Sequence, residues 1–251
     1  MSLLYISENG AVVSIEANRV KIKYKDGMVR SIPIETLESI TLLGKSQITT
    51  QMYEECLKRG ISVSYFSKGG KYFGRLTSTT HIKARLQRMQ SSLYDTEFSL
   101  VFSKKIIAAK IRNQEVVLRR YAKSRNIDVE KHIFQMKNSE GKVSYCAKIA
   151  EIMGYEGIAA REYFDGLSAC IEDDFKFKGR TKRPPMDPFN SMISLGYSIL
   201  MNEIYSEIES KGLNPYFGFM HRDDENHPTL ASDLMEEWRA VIVDATVMSM
   251  I

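Results

Sequence analysis

Cysteine is scarce: Cys56, Cys146 and Cys170 are the only three in 251 residues, far apart and odd in number. Neither a disulfide framework nor a thiolate zinc site, which needs paired ligands at CxxC-like spacing, can be built from them. A reducing compartment is expected, with the cytoplasm as the default. Long apolar runs are missing as well. No stretch reaches the ~18 consecutive apolar residues of a membrane-spanning helix. The N-terminal Met-Ser-Leu-Leu-Tyr-Ile-Ser-Glu has no basic segment leading into an apolar one, so neither bilayer insertion nor secretion is expected. Compositional bias is absent too. With six prolines, 43% apolar and 26% charged residues, the chain is not collagen-like, coiled-coil or disordered. A chain of this length buries enough surface for one large core or two smaller ones without covalent staples.

The net charge is only +4, but it is unevenly spread. Between His81 and Arg125 the cations Lys83, Arg85, Arg88, Lys104, Lys105, Lys110, Arg112, Arg119, Arg120, Lys123 and Arg125 are opposed by Asp95, Glu97 and Glu115 alone. The remainder of the chain is net acidic. Clustered cations with few carboxylates suit a polyanion, because each phosphate contact releases condensed counterions. A solvated helix face explains this first cluster equally well. A second cluster, Lys176, Lys178, Arg180, Lys182 and Arg183, lies in a proline-flanked segment and tips the balance toward nucleic acid. The cations of both clusters, without Lys123 and Arg125, are the candidate DNA contacts.

Up to about Ser78 the apolar residues alternate within short runs, and this predicts strands at Leu3–Ser7, Ala11–Ile15, Val20–Tyr24, Met28–Pro33, Ser39–Leu43, Ile61–Phe66 and Tyr72–Leu76. Asn9-Gly10, Asp26-Gly27 and Gly69-Gly70 stand where hairpin turns are needed. One helix, Thr50–Arg59, is ended by Gly60. From Thr79 onward the period becomes three to four, predicting helices near His81–Asp95, Glu97–Ser124, Ser144–Met153, Tyr155–Phe175, Phe189–Lys211 and Ser232–Val247. Breaks are expected at Asn138–Lys142, Gly179–Pro188 and Asn214–Pro228. The fold class is therefore α+β: a small N-terminal β domain, residues 1–78, followed by a larger all-α domain, residues 79–251. The last residues stop inside an apolar stretch without a helix cap, so this end is either buried or cut short relative to its relatives.

Common catalytic motifs fail their structural tests. Gly69 to Gly74 has phosphate-loop spacing, but Arg75 and Leu76 replace the required Lys and Ser or Thr, and the flanks read strand to strand. Gly166-Leu-Ser-Ala-Cys170 falls one residue short of GxSxG and lies inside a helical pattern. Cys56 and Cys170 fall on apolar helical stretches, as small buried hydrophobes do.

Three segments of the helical half carry the chemistry. In Tyr155-Glu-Gly-Ile-Ala-Ala-Arg-Glu-Tyr-Phe164, small residues beside Glu156 admit a second helix and turn that carboxylate inward, where it needs a partner. In Gly212-Leu-Asn-Pro-Tyr-Phe-Gly-Phe-Met-His221 a lone histidine ends a Gly- and aromatic-rich turn. In Ser232-Asp-Leu-Met-Glu-Glu-Trp-Arg239, Ser232 can cap a helix, and Asp233 and Glu236, three apart, share one face. Taken singly, His221 also fits a structural histidine and the two acids fit helix N-terminal charge. Together, carboxylates and an imidazole form a mixed O and N donor set suited to Mg²⁺ or Mn²⁺, the chemistry that phosphodiester transfer uses.

These segments, with the Arg183-Pro-Pro-Met-Asp-Pro-Phe-Asn190 turn and the helix from Ser191 to Ile208 between them, resemble in order the signatures of one family, the universal CRISPR-associated endonuclease and integrase of spacer acquisition. The resemblance spans nearly the whole chain. It implies metal ligation by Glu156, His221 and Glu236, with Asp233 as a neighbouring ligand or orienting acid. It implies a metal-dependent endonuclease and integrase that inserts prespacer DNA into a CRISPR array by 3′-hydroxyl attack on a phosphodiester. It also implies double-stranded and branched DNA as substrates, a homodimer built through the β domains, and a second CRISPR adaptation protein bridging two such dimers. The sequence departs mildly from the pattern: Asn214 replaces the usual Asp before Pro215, and Glu237 and Ala240 replace prolines around Trp238 and Arg239. A non-catalytic DNA-binding scaffold of the same acquisition complex is the alternative.

Overall fold

The computed structural model describes residues 2–79, 82–181 and 184–251. Contacts divide the chain into two compact units, Met1–Ile82 and Lys83–Ile251, while the change of hydrophobic period places the border at Ser78. Strands come first and a larger helical region follows.

The first unit holds β1 (Ser2–Ile6), β2 (Val12–Glu16), β3 (Arg19–Lys23), β4 (Val29–Pro33), β5 (Leu37–Leu43), β6 (Gln47–Ile48), α1 (Thr50–Arg59), β7 (Ser62–Phe66) and β8 (Tyr72–Leu76). They form two four-stranded sheets, β1-β5-β7-β8 and β4-β3-β2-β6. Alternation decides the faces. In β3, Val20 and Ile22 are buried while Arg19 and Lys23 are exposed. In β5, flanked on both sides by parallel neighbours, Ser39 to Leu42 are all buried, as in a strand covered on both faces. The Thr49 hydroxyl accepts the Met52 N–H at 3.3 Å to start α1, and Gly60 ends it at φ 71°. Two turns differ from expectation. Asn9-Gly10 joins strands of different sheets instead of a hairpin, with Asn9 Oδ1 accepting from Lys45 N at 2.9 Å. The β2–β3 hairpin turns on Ala17 and Asn18, both at positive φ, and Ala17 carries no turn signal.

The second unit contains α2 (Ala84–Ser91), α3 (Glu97–Arg125), α4 (Glu130–Val143), α5 (Ile149–Ala169), α6 (Pro188–Ser210), α7 (Thr229–Met235), a π-helical segment (Arg239–Asp244) and α8 (Ala245–Met250), with no strand among its described residues. The buried stripe of α3 runs through Ser103, Ile107, Lys110, Gln114, Leu118 and Tyr121 at steps of three or four residues and packs against α4 and α5. The expected break at Asn138–Lys142 is absent. Those residues belong to α4, because Ile133, Met136 and Val143 reach the core at helical spacing while Asn138 and Gly141 stay exposed, and burial outweighs weak propensity. Likewise α5 is one helix, not two. Asp187 Oδ1 accepts the Asn190 N–H at 2.7 Å and Pro188 opens α6. Helix α7 begins at Thr229, so Ser232 is not its cap; that buried hydroxyl bonds the His227 ring at 2.8 Å. Among the described residues no helix is long and apolar enough to cross a membrane.

Candidate active site

Four elements of the second unit supply one connected set of side chains, linked in the order Glu156, Lys110, Glu236, His221 and Asp233. Helix α3 supplies Lys110, α5 supplies Glu156, the C-terminal end of α7 supplies Asp233 and Glu236, and the turn before α7 supplies His221. That turn is clamped onto α7: Thr229 Oγ1 accepts the Gly218 N–H at 2.9 Å and donates to Tyr216 O at 2.6 Å. A Cβ on Gly218 would lie 2.8 Å from both the Asp233 carboxylate and the Thr229 backbone. Only glycine fits there.

Asp233 is fully buried. Its oxygens accept the backbone N–H groups of Phe219 at 2.7 Å, Met220 at 3.0 Å and His221 at 3.0 Å, and pair with His221 Nδ1 at 2.7 Å. A carboxylate surrounded by donors draws the imidazole proton to Nδ1. The Nε2 atom lies on the other side of the ring, 3.9 Å from Glu236 Oε1.

Glu236 is 4% exposed. Its Oε1 meets Arg239 at 2.8 Å and its Oε2 meets the Lys110 ammonium at 2.5 Å. The same ammonium bonds Glu156 Oε1. Burial pushes the Glu236 carboxyl up, but Lys110, Arg239 and His221 outweigh it and hold the group down at about 2. Burial also disfavours the charged Lys110, and Glu236 and Glu156 reverse that, keeping its pKa above the ordinary lysine value. As placed, no three His, Cys, Asp or Glu side chains among the described residues surround a common metal position; a lysine ammonium lies between the two carboxylates instead.

The chemistry of the donor set nonetheless fits a hard divalent cation. The Glu156 and Glu236 carboxylates and the imidazole nitrogen that His221 turns away from Asp233 are ligands of the right type, on three separate segments. Beside them lies a cavity of about 340 Å³ lined by Lys110, Glu156, Arg161, Arg180, Tyr197 and Arg239 among others. Behind Arg239 the π-helical segment turns Asp244 inward, where it accepts from Tyr197 at 2.6 Å and Tyr163 at 2.9 Å. Burial raises the Asp244 carboxyl to about 6, against the opposing pull of both tyrosines, Arg239 and Arg180. Arg239 and Arg180 lie over the Tyr197 ring at 5.1 and 5.5 Å.

The candidate DNA contacts divide into several groups. Lys83, Arg85, Arg88, Lys105, Arg112, Arg120, Lys176 and Lys178 are exposed. Arg112 pairs with Glu140 at 2.5 Å. Lys104 is half-buried and donates to Ser144 O at 2.9 Å, and Arg119 is bound by Glu115 at 2.9 Å and Glu130 at 2.6 Å. Two placements correct the sequence reading. Lys110 faces the acidic centre, not solvent, because it falls in register with the buried stripe of α3. Arg180 is tied to Asn190 Oδ1 at 2.9 Å and Ser194 Oγ at 3.1 Å and points into the cavity. Lys182 and Arg183 lie outside the described residues. Arg161 and Arg239 lie inside the segments quoted from the sequence but were given no role there, and Asp244 lies outside them; the helical spacing of Arg239 from Glu236 was an available signal.

The sequence family described as CRISPR associated protein Cas1 matches residues 4–251. The chain belongs to the Cas1 family. It is 41% identical over 252 residues to the CRISPR-associated endonuclease Cas1 of Mycobacterium tuberculosis, covering 100% of this chain and 74% of that protein. Among solved structures, a Cas1 protein from Thermotoga maritima has a TM-score of 0.84 at 23% identity, covering all of this chain and 79% of that one. A chain of the Cas6-RT-Cas1–Cas2 complex has a TM-score of 0.82 at 26% identity, covering all of this chain and 28% of the other. The order of strands first and helices after is thus the Cas1 order, and the family that the sequence resembles is the one that matches.

Proposed function

We propose that this Cas1-family chain is the catalytic subunit of CRISPR spacer acquisition, a divalent-metal-dependent DNA endonuclease and integrase. The observation that supports the reading is that Glu156 and Glu236, from separate segments, share the Lys110 ammonium while His221 faces Glu236 with Asp233 behind the imidazole. Glu156, Glu236 and His221 Nε2 would hold Mg²⁺ or Mn²⁺, which when bound neutralises charge developing on a phosphate and activates an oxygen nucleophile. In the reaction a prespacer 3′-hydroxyl oxygen bonds to phosphorus, the target P–O3′ bond breaks, and the released 3′-oxygen takes up a proton.

The chain's own side chains support that exchange. Asp233 fixes the imidazole and the turn that bears it, Arg239 braces Glu236, and the guanidinium groups of Arg161, Arg180 and Arg239 give the adjoining cavity its affinity for a phosphate. Exposed cations of α2, α3 and the Lys176–Lys178 segment would contact the duplex or branched DNA backbone. The chain at 26% identity works within a Cas6-RT-Cas1–Cas2 complex, and we extend to this chain a second adaptation protein of the Cas2 type as partner. A homodimer through the first unit would cover the exposed Leu3 and Tyr5 of β1 and Tyr72 and Phe73 of β8, which lie on the two edge strands of one sheet. A monomeric mass by light scattering at micromolar concentration would count against it.

The test is strand transfer of a short duplex with free 3′-hydroxyl ends into supercoiled plasmid, in Mn²⁺ or EDTA, comparing wild type with His221→Ala. Joining that needs the metal and is lost in the variant supports the reading; equal joining by both chains overturns the site. The Lys110 ammonium between the carboxylates favours one second reading, a DNA-binding scaffold without catalysis. It expects salt-dependent DNA binding and no metal-dependent joining.

A further inference from the structure

A lysine is among the residues least often buried without a compensating partner, yet Lys110 is 5% exposed in the middle of the longest helix of the chain. Its stem follows the buried stripe of α3 and its ammonium ends between Glu156 and Glu236. Two inward carboxylates from different helices repel each other, and each costs free energy to desolvate unless a positive charge stands between them. Lys110 is that charge. We infer that Lys110 is a built-in counter-ion that keeps the candidate metal position closed until a divalent cation displaces it. The inference rests on the reading of Glu156 and Glu236 as metal ligands.

Stereochemistry makes the two occupants exclusive. A divalent ion bonded to carboxylate oxygens at about 2.0–2.2 Å needs the space and the lone pairs that the ammonium now takes, and its own charge repels a cation left beside it. Each Glu236 oxygen already faces a cation, Oε1 Arg239 at 2.8 Å and Oε2 Lys110 at 2.5 Å. Glu156 must likewise give up its Lys110 bond to ligate with that oxygen. The way out is visible: Lys110 lines the cavity that also contains Arg161, Arg180 and Arg239, and its four-carbon stem can swing there. A DNA phosphate in that cavity would draw the ammonium out of the carboxylate pair. Lys110 thereby links the two ligands, so that phosphate binding and metal binding favour each other.

Metal binding can be read directly by Mn²⁺ titration monitored by electron paramagnetic resonance, on the full chain without DNA, for wild type, Lys110→Met and Glu156→Ala. The expected result is Mn²⁺ affinity about tenfold or more tighter in Lys110→Met than in wild type, and lost in Glu156→Ala. Affinity in Lys110→Met equal to or below wild type, with Glu156→Ala still abolishing it, overturns the inference and leaves the metal site standing. Binding undiminished by Glu156→Ala overturns the site itself, and the inference with it. Because Lys110→Met removes both a charge and a buried ion pair, a second measurement uses wild type alone. The Lys110 ammonium, assigned through its side-chain carbons by NMR, should lose its slowly exchanging, ion-paired signal as Mg²⁺ is added. A signal that persists unchanged at saturating Mg²⁺ overturns the displacement even if affinities differ.

Discussion

Asp233 Oδ1 accepts both the backbone N–H and the ring Nδ1–H of His221, at 3.0 and 2.7 Å. One carboxylate therefore fixes where the histidine's backbone sits and which ring nitrogen stays free. Asp233→Asn offers an N–H where one of these donors now points, leaving buried donors face to face. The expected cost is about 1–3 kcal/mol of stability from an unsatisfied buried group. A further drop of about 10–100-fold in metal affinity or strand transfer is expected from a misoriented imidazole. Urea unfolding and the plasmid-joining assay measure the two effects separately. A variant that joins DNA at the wild-type rate would show that Asp233 does not orient His221.

Two glycines of the helical unit should respond in opposite directions to the same substitution. Gly218→Ala places a methyl 2.8 Å from the Thr229 backbone and from Asp233, in a turn with no room to retreat, and should destabilise by about 1–3 kcal/mol. Gly154 lies exposed inside α5 with open space where a Cβ would go, so Gly154→Ala should stabilise by about 0.5–1 kcal/mol through helix propensity. Midpoints of urea unfolding decide both. Equal effects would mean that the tight turn around Gly218 yields more easily than its contacts imply.

The buried Asp244 sets a pH dependence. Its folded pKa, about 6, lies above the ordinary 3.8, so the folded chain binds this proton more tightly than the unfolded one. Its contribution to stability is fully present below about pH 4 and is lost as pH rises through 6. Linkage over two units amounts to about 3 kcal/mol. Asp244→Asn cannot titrate, and the reversal of one tyrosine hydroxyl that it forces is a pH-independent offset. The stability difference between the two chains should therefore shift by about 3 kcal/mol between pH 4 and 7 in favour of the variant. A constant difference across that range would sink the assignment.

Much of the molecule was legible because local signals agreed with tertiary ones. Thr49 and Gly60 bracket α1 as capping chemistry expects, and the switch of period near Ser78 falls close to the division between the two units. Where the two disagreed, packing won. Asn138 and Gly141 look like a break, but the apolar spacing of Ile133, Met136 and Val143 carries α4 through them. In the site, Glu156, His221, Asp233 and Glu236 stood out as unusual polar residues in apolar or turn settings. Lys110 did not, because a lysine in a basic stretch reads as solvent-facing. Its register with Ile107, Gln114 and Leu118 was the available signal and pointed inward. Asp244 was hidden for a different reason: the π-helical segment re-aims it, and a 3.6-residue period does not anticipate that.

The exposed cations should separate from the engaged ones by their salt dependence. Lys83, Arg85 and Arg88 are exposed along α2, and each phosphate contact contributes about 0.9 to the slope of log affinity against log salt. The triple Ala variant should flatten the slope for duplex DNA by up to about 3. Arg119 already has Glu115 and Glu130 as partners, so Arg119→Ala should change the slope by well under about 1 unit. Fluorescence anisotropy from about 50 to 200 mM salt, the range in which counterion release is steep, gives both slopes. If Arg119→Ala flattens the slope as much per residue as the triple variant does, Arg119 leaves its carboxylates for the DNA, and pairing within the free protein does not determine which cations bind phosphate.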